Sequence, residues 1–382
     1  MYDLEKAKCI IYRGGTSRGL FFHSKDIPEE LDKRRDMFLR IMGSPDIRQI
    51  DGLGGATSHT SKVAVISKSK EDGIDIEYDF YQVGIENPIV SRHGMCGNLL
   101  AAAGLFAVDE GLVSAEEPTT VVAVRNINTG KRFLVHIPVK NGQSVTQGAY
   151  KIDGVARSGA CILEEFLDPA GAVTGKLLPT GKPSEHIRIE NSIYKVSIVD
   201  AANPTVFMLM KDLKITGAEK PSELNSKPEF LDLLELIRGE AARLCGFVST
   251  VDQARAESPN LPLLALVGSP LPYISLYGQL VETFNFDIRL LMLSLQRFHQ
   301  SIALTTSICL AVAALITDSV VNEIYKPTMD NTKIRIGHPS GIIQVDVELG
   351  EGSPRGLPYI SKVVVSRTAR RLMEGVAYYP KS

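Results

Sequence analysis

The first half of the chain reads as strands. Lys8 to Tyr12, Gly19 to Phe22, Lys62 to Ile66, Ile74 to Val83, Val121 to Val124 and Arg132 to Pro138 are runs rich in β-branched and aromatic residues. Turn residues separate them, as in Asn128-Thr129-Gly130 and Asn141-Gly142. One helix interrupts the pattern, from Gly97 to Glu110, and stops at Gly111. Apolar residues cover nearly its whole circumference, which predicts burial on every side. The pattern therefore predicts strands wrapped around a central helix.

The second half repeats this plan. Leu100-Ala101-Ala102-Ala103-Gly104-Leu105 aligns with Leu310-Ala311-Val312-Ala313-Ala314-Leu315 at an offset of 210. The start of the first helix at Cys96 then falls on Thr306, within Ala303-Leu304-Thr305-Thr306-Ser307. Gly15 to Phe22 has a looser counterpart in Ala202 to Phe207. Two Ala- and Leu-rich helices also match by chance, and the sequence alone leaves that alternative open. Pro179-Thr180-Gly181-Lys182-Pro183 reads as a linker. It gives domains of 1–183 and 184–382, with the last residues able to return to the first. Pro28 to Arg40 reads as a surface helix and Pro221 to Leu244 as a helical insertion. Residues 245–280 carry no clear pattern.

Composition narrows the class. A chain of 382 residues is too long for one ordinary core. Hydrophobic residues at 44% and charged residues at 23% describe a soluble globular protein. A net charge of −2 leaves no electrostatic footprint for nucleic acid. The cluster Lys33-Arg34-Arg35 lies between Asp32 and Asp36 and reads as a solvated helix face. Five cysteines with no CxxC spacing argue against a disulfide framework or a structural zinc site. The charged start, Met1-Tyr2-Asp3-Leu4-Glu5-Lys6, is unlike a signal peptide. The apolar runs Leu99 to Val108 and Ile308 to Ile316 are too short to span a bilayer. A reducing cytoplasm and no membrane partner are expected.

Two residues stand out chemically. Lys62 follows a loop of glycines and hydroxyls, Asp51 to Ser61, and opens an apolar strand. A lysine there is costly unless paired or neutral, and a desolvated lysine can exchange protons at working pH. The same residue also reads as a snorkelling surface lysine. Cys96 stands at the amino end of the apolar helix, before Gly97 and Asn98. Unpaired N–H groups and the helix dipole there favour thiolate, a usable base. A small buried hydrophobe is the alternative reading. Gly97 lets a ligand approach the backbone, and a helix start binds carboxylate well.

Other polar residues form a second rank. Thr16, Ser17 and Arg18 follow a glycine pair and read as a carboxylate clamp or as a polar turn. Ser61 precedes the lysine and Met95 precedes the cysteine. Thr305, Thr306 and Ser307 suit a carboxylate at the second helix start. Asn203 reads as a substrate ligand or as part of an Asn-Pro turn, and His299 as an assisting or a structural group. His59, His93 and His338 have no metal-site spacing, so neither metal nor cofactor is expected.

Arg13-Gly14-Gly15-Thr16-Ser17-Arg18-Gly19, the loop ending at Lys62, Cys96-Gly97-Asn98, Asp200-Ala201-Ala202-Asn203-Pro204-Thr205 and Gly337-His338-Pro339-Ser340-Gly341 occur in this order along nearly the whole chain. In this the chain resembles the PrpF family, which has the diaminopimelate epimerase-like fold. The resemblance implies an α+β protein of two similar domains, each a β-barrel around a central helix, with the active site in the cleft between them. It implies cofactor-independent isomerases of unsaturated di- and tricarboxylates: methylaconitate, aconitate, oxalomesaconate or 3-methylitaconate. It also carries Lys62 and Cys96 into the role of proton carriers. The related epimerases use two cysteines, whereas the aligned position here is Thr306, which cannot act as a thiolate. Met95 replaces a more usual polar residue, a less polar wall that favours a methyl-bearing substrate such as 3-methylitaconate or 2-methylaconitate.

The expected chemistry is a 1,3-allylic proton shift. Helix-terminal N–H groups, Arg18 and hydroxyls would stabilise the dienolate. Two other classes remain open on the sequence. One is covalent catalysis by Lys62 or Cys96, although no histidine and acid are organised for a cysteine hydrolase. The other is a non-catalytic carboxylate-binding accessory protein of a dehydratase. The expected partner is the small acid, and a homo-oligomer is compatible with this reading.

Overall fold

Strand β1 (Leu4–Gly14) turns through Gly15 and Thr16 into β2 (Ser17–His23). This computed structural model describes residues 3–326, 332–352 and 357–381, so Met1 and Tyr2 of the charged start lie outside the described residues. The chain divides into two units, Met1–Glu165 with Ser366–Ser382, and Phe166–Val365. The segment read as a linker, 179–183, lies inside the second unit.

In unit 1, helix α1 (Leu31–Met42) follows β2, then come β3 (Lys62–Lys68), β4 (Ile76–Val83) and the short β5 (Val90–Ser91). Helix α2 (Gly97–Asp109) precedes β6 (Thr119–Asn126), β7 (Arg132–Lys140), β8 (Gln143–Ser144) and β9 (Ile162–Leu167). Every residue of α2 from Gly97 to Val108 is buried. The helix touches β1, β2, β3, β4, β6, β7 and β8, which encircle it. Each large apolar side chain enclosed this way contributes about 2 kcal/mol. The amphipathic α1 packs Met37, Phe38, Ile41 and Met42 on the outside of these strands, against Phe22, Val63 and Tyr81. Gly43 closes it in the left-handed conformation, at φ 72°.

Unit 2 carries β10 (Glu185–Ile189), β11 (Ser192–Ala201) and β12 (Asn203–Leu209), then helices α3 (Pro221–Asn225), α4 (Pro228–Leu244) and α5 (Ala254–Glu257). Strand β13 (Leu263–Gly268), the hairpin β14 (Tyr273–Ile274) and β15 (Leu280–Val281), β16 (Ile288–Ser294) and β17 (Arg297–Phe298) follow. Helix α6 (Leu304–Ala314) is buried throughout and touches β11, β12 and β19 (Gly341–Leu349), which follows β18 (Lys333–His338). Strand β20 (Ile360–Arg367) and β21 (Ala369–Pro380) end the chain, β21 pairing with β1. The expected helical insertion is two helices, because Pro228 has no N–H to continue α3.

The two units share one topology. In unit 1, β1–β2 is antiparallel, β2–β3 parallel, β3–β4 antiparallel, β4–β6 parallel and β6–β7 antiparallel. In unit 2 the same series runs β11–β12, β12–β13, β13–β16, β16–β18 and β18–β19. The buried helix lies between the fourth and fifth strands of each series. The repeat is therefore real, but its register differs from the sequence alignment. The cap of α2 is Cys96 and the cap of α6 is Ala303, so Thr306 lies three residues inside α6. Sliding two apolar helices by about one turn keeps their faces matched, so composition could not fix the offset.

Candidate active site

Lys62 opens β3, and its register partner on β4 is Gln82. The Lys62 Nζ donates to Gln82 Oε1 at 2.6 Å and lies 5.1 Å from the Phe80 ring centre. Gln82 is held in turn, its Nε2 donating to the Ser61 carbonyl at 2.9 Å. On the other side β2 runs parallel to β3, with Leu20 opposite Val63. A Cβ on Gly19 would stand 2.9 Å from Leu99 Cδ1 and 3.0 Å from the Lys62 carbonyl oxygen, so only glycine brings β2, β3 and α2 this close. Protein atoms crowd Lys62 from all sides, although part of its surface still reaches solvent. Burial pulls its ammonium below the usual lysine range, and the charge and hydrogen bond of the neighbouring Cys96 sulfur pull it back up.

Cys96 caps α2 with an extended backbone, φ −111° and ψ 103°, and its side chain makes no cap hydrogen bond. The thiol is instead 3.9 Å from the Ser17 hydroxyl. Its carbonyl accepts a hydrogen bond from the Tyr78 hydroxyl at 3.1 Å, which pins the cap to β4. Burial, followed by Cys96 and Glu164, holds the Tyr78 phenol well above its ordinary range, so it remains a donor. Met95 and Cys96 are both buried, as are Gly97 and Asn98 at the first helical positions.

Around this pair the other sequence candidates of unit 1 take different places. Asn98 donates from Nδ2 to Thr16 Oγ1 at 3.2 Å. The Arg18 backbone N–H donates to the His59 carbonyl at 2.9 Å, and its guanidinium lies beside Gly55, where a Cβ would come within 2.8 Å of Nη2. Ser61 is fully buried and its hydroxyl accepts from Gln49 Nε2 at 2.8 Å, so it braces the loop. Burial and then the Lys62 charge pull His59 down to about 4, leaving it neutral near pH 7.

In unit 2, Asn203 Nδ2 donates to Thr305 Oγ1 at 3.0 Å. Thr306 is fully buried. The Ser307 hydroxyl donates to the Leu304 carbonyl at 2.7 Å, within its own helix. His299 is buried and its Nδ1 accepts from the Ser301 N–H at 3.1 Å, which places its proton on Nε2. Strand β13, the counterpart of β3, opens with Leu263, and the α6 cap is Ala303. Unit 2 therefore has no second Lys–Cys pair at these positions.

Four residues near the pair escaped the sequence reading: Gln82, Tyr78, Glu164 and Arg367. Gln82 and Tyr78 share β4 with Glu77, Asp79 and Tyr81, so telling which polar group faces the site needs the register. Arg367 Nε donates to Asn98 Oδ1 at 3.1 Å across 269 positions of sequence. Among the described residues, no group of three or more His, Cys, Asp or Glu is placed to hold a metal ion. None of the described helices is long and apolar enough to cross a membrane.

A family model described as PrpF protein matches residues 4–380. A 3-methylitaconate isomerase of Eubacterium barkeri is 39% identical over 383 residues, covering 100% of this chain and 99% of that protein. A 2-methyl-aconitate isomerase of Shewanella oneidensis is 34% identical over 390 residues, covering 98% and 97%. The crystal structure of a methylitaconate-delta-isomerase matches with a TM-score of 0.78 and 38% identity, over 99% of this chain and 97% of that one. A hydroxyproline epimerase from Agrobacterium vitis matches over 98% and 93%, with a TM-score of 0.59 and 10% identity, a likeness of fold alone.

Proposed function

The chain belongs to the PrpF family, and on that premise we propose that this isomerase shifts a proton across three carbons of an unsaturated di- or tricarboxylate without a cofactor. 3-Methylitaconate or 2-methylaconitate is the preferred substrate, on the strength of the relatives and of the buried, apolar Met95 beside the thiol. The observation that carries this reading is that Lys62, at the head of β3, and Cys96, at the cap of α2, lie close enough for the Cys96 sulfur to act on the Lys62 ammonium, where Gly19 lets β3 and α2 approach.

One of the two groups removes a proton from the carbon next to a carboxylate. The electron pair spreads through the double bond into that carboxylate as a dienolate. The other group returns a proton at the far allylic carbon, and the double bond moves. Backbone N–H groups at the start of α2 face the developing charge, with the Thr16, Ser17 and Arg18 turn beside them. After turnover the two carriers have exchanged protonation states. The two groups lie near enough to interact electrostatically, so the proton can pass back between them without bulk water. In unit 2, Asn203, Thr305 and Thr306 make a polar group suited to a carboxylate, with His299 an assisting group. Five free cysteines fit a reducing compartment, and we place the protein in the cytoplasm.

The test is proton NMR in D₂O with 3-methylitaconate, 2-methylaconitate, aconitate and 4-oxalomesaconate. Bond migration with deuterium at the allylic carbon is expected for a methyl-bearing acid. Exchange with none of the four would overturn the reading and favour a binding protein. Trapping of a Lys62 adduct by borohydride would replace proton transfer by Schiff-base chemistry.

A further inference from the structure

Behind the Cys96 site lies a buried chain of polar groups that the proton shift itself does not use. Arg367, at the end of β20, is 5% exposed, and its Nε donates to Asn98 Oδ1 at 3.1 Å. Its Nη1 is occupied by the Ser366 carbonyl at 2.8 Å. A guanidinium only donates, so its partner on Asn98 must be the amide oxygen, and the amide NH₂ must face the other way. That NH₂ donates to Thr16 Oγ1 at 3.2 Å. The turn is pressed onto the amide: Gly15 has φ +49°, and a Cβ there would meet Asn98 Oδ1 at 2.1 Å. Thr16 accepts from Asn98, and its side chain is only partly buried. Its hydroxyl hydrogen is left to point outward from the turn.

Glu164 on β9 completes the group. It is fully buried, and its carboxyl has no side-chain hydrogen-bond partner among the described residues. Burial pushes it up to about 8, against the charge of Arg367 and the nearby Ala101 N–H. Near pH 7 it therefore keeps its proton and leaves the guanidinium charge uncancelled.

We propose that Arg367 is a positioning residue for substrate binding: through Asn98 it fixes the Thr16 hydroxyl as a donor to a carboxylate of the substrate. This rests on the reading of the α2 start as the place where the acid binds. The donor direction runs one way along the chain, from guanidinium to amide to hydroxyl to carboxylate. A charged donor at its head strengthens each bond beyond it.

The experiment measures Kd for 3-methylitaconate by calorimetry and, separately, kcat and KM. Thr16→Val should weaken binding by about 10- to 100-fold, the scale of a lost hydrogen bond to a charged group, while kcat changes less. Thr16→Ser should restore it. Asn98→Asp is close to isosteric, keeps the acceptor for Arg367 and replaces the donating NH₂ by an oxygen. The Thr16 hydroxyl must then donate inward, so Kd should rise as in Thr16→Val, and the two changes together should cost no more than one. Arg367→Met should behave alike if it folds, and Asn98→Asp decides the matter if it does not. Wild-type Kd in Asn98→Asp, or losses that multiply in its double variant with Thr16→Val, would overturn the inference. Wild-type binding without turnover would instead overturn the proton-shift reading alone.

Discussion

Lys62 and Gln82 are register partners across β3 and β4, and the ammonium donates to the amide oxygen at 2.6 Å. An amide holds a lysine in place without the charge that a carboxylate would add. Lys62 thus stays below its usual range through burial, with only Cys96 opposing it. Gln82→Glu keeps the shape and adds the charge. An opposite charge within about 4–6 Å favours the ionised form by roughly 1–3 pH units. The limb of the kcat/KM profile that belongs to Lys62 should move to higher pH by that order. A pH series on the variant checks this, and an unmoved profile would remove Lys62 from the titrating pair.

Glu164 gives a stability prediction with a fixed sign. Its folded value, about 8, lies above the ordinary 4.5, so between these values the folded state holds more protons than the unfolded one. Stability must then fall as pH rises from about 4.5 through 8. Arg367 faces this carboxyl and opposes the effect, and Tyr78 also lies against it. Glu164→Gln removes the titration. Denaturant melts should show wild type losing a few kcal/mol relative to the variant between pH 5 and 9. Parallel curves would mean that Glu164 is ionised throughout and paired with Arg367.

The parts of the fold that were readable had local causes. The helix at Gly97 was legible because its apolar residues surround it and Gly111 follows it. The strand opening at Lys62 was legible from a glycine and hydroxyl loop running into β-branched residues, whereas the second strand reads from Gly19 in the sequence and in fact opens at Ser17, among residues that read as a turn. Lys62 and Cys96 could be singled out one at a time, since each is a polar group at the edge of an apolar element. Their supports could not. Gln82 meets Lys62 only through the β3–β4 register, and Arg367 reaches Asn98 only because the last strands return to unit 1. Such pairings leave no mark in one sequence. The slip at Thr306 has a related cause, because a helix start is set by the chain entering it, and Ala303 carries no capping signal.

The five thiols should separate by environment. Burial pushes Cys245 and Cys309 up to about 12, and raises Cys9 as well. The Cys309 thiol also points at the Val199 carbonyl, at 3.1 Å. None of these three should react with limiting iodoacetamide near pH 8, since the thiolate is the reactive form. Cys96 should be labelled ahead of the rest, and excess substrate should protect it. Cys161, partly exposed, serves as the internal control, because the acid should leave its labelling unchanged. Peptide mass spectrometry reads all five, and protection at Cys161 rather than Cys96 would move the site.

The two proposed carriers, Lys62 and Cys96, give the strongest test. Lys62→Ala and Cys96→Ala should each cut kcat by about 10²–10⁴-fold, the usual contribution of a positioned acid or base, with smaller changes in KM. The double variant should fall well short of the product of the single losses, because both groups serve one transfer sequence. Cys96→Ser should keep the fold and lose most turnover, since a serine hydroxyl is far less acidic than a thiol. NMR in D₂O under multiple turnover adds a readout that structure alone would not move. The first turnover should place deuterium at the allylic carbon. If Lys62 and Cys96 pass the abstracted proton between them afterwards, at saturating substrate some of it should be delivered to a later substrate before solvent exchange, leaving part of the product undeuterated. Removing either carrier should abolish that internal return along with the rate. Near-normal turnover in a folded Lys62→Ala would break the pair, and would return Lys62 to the role of a lysine that merely borders a buried strand.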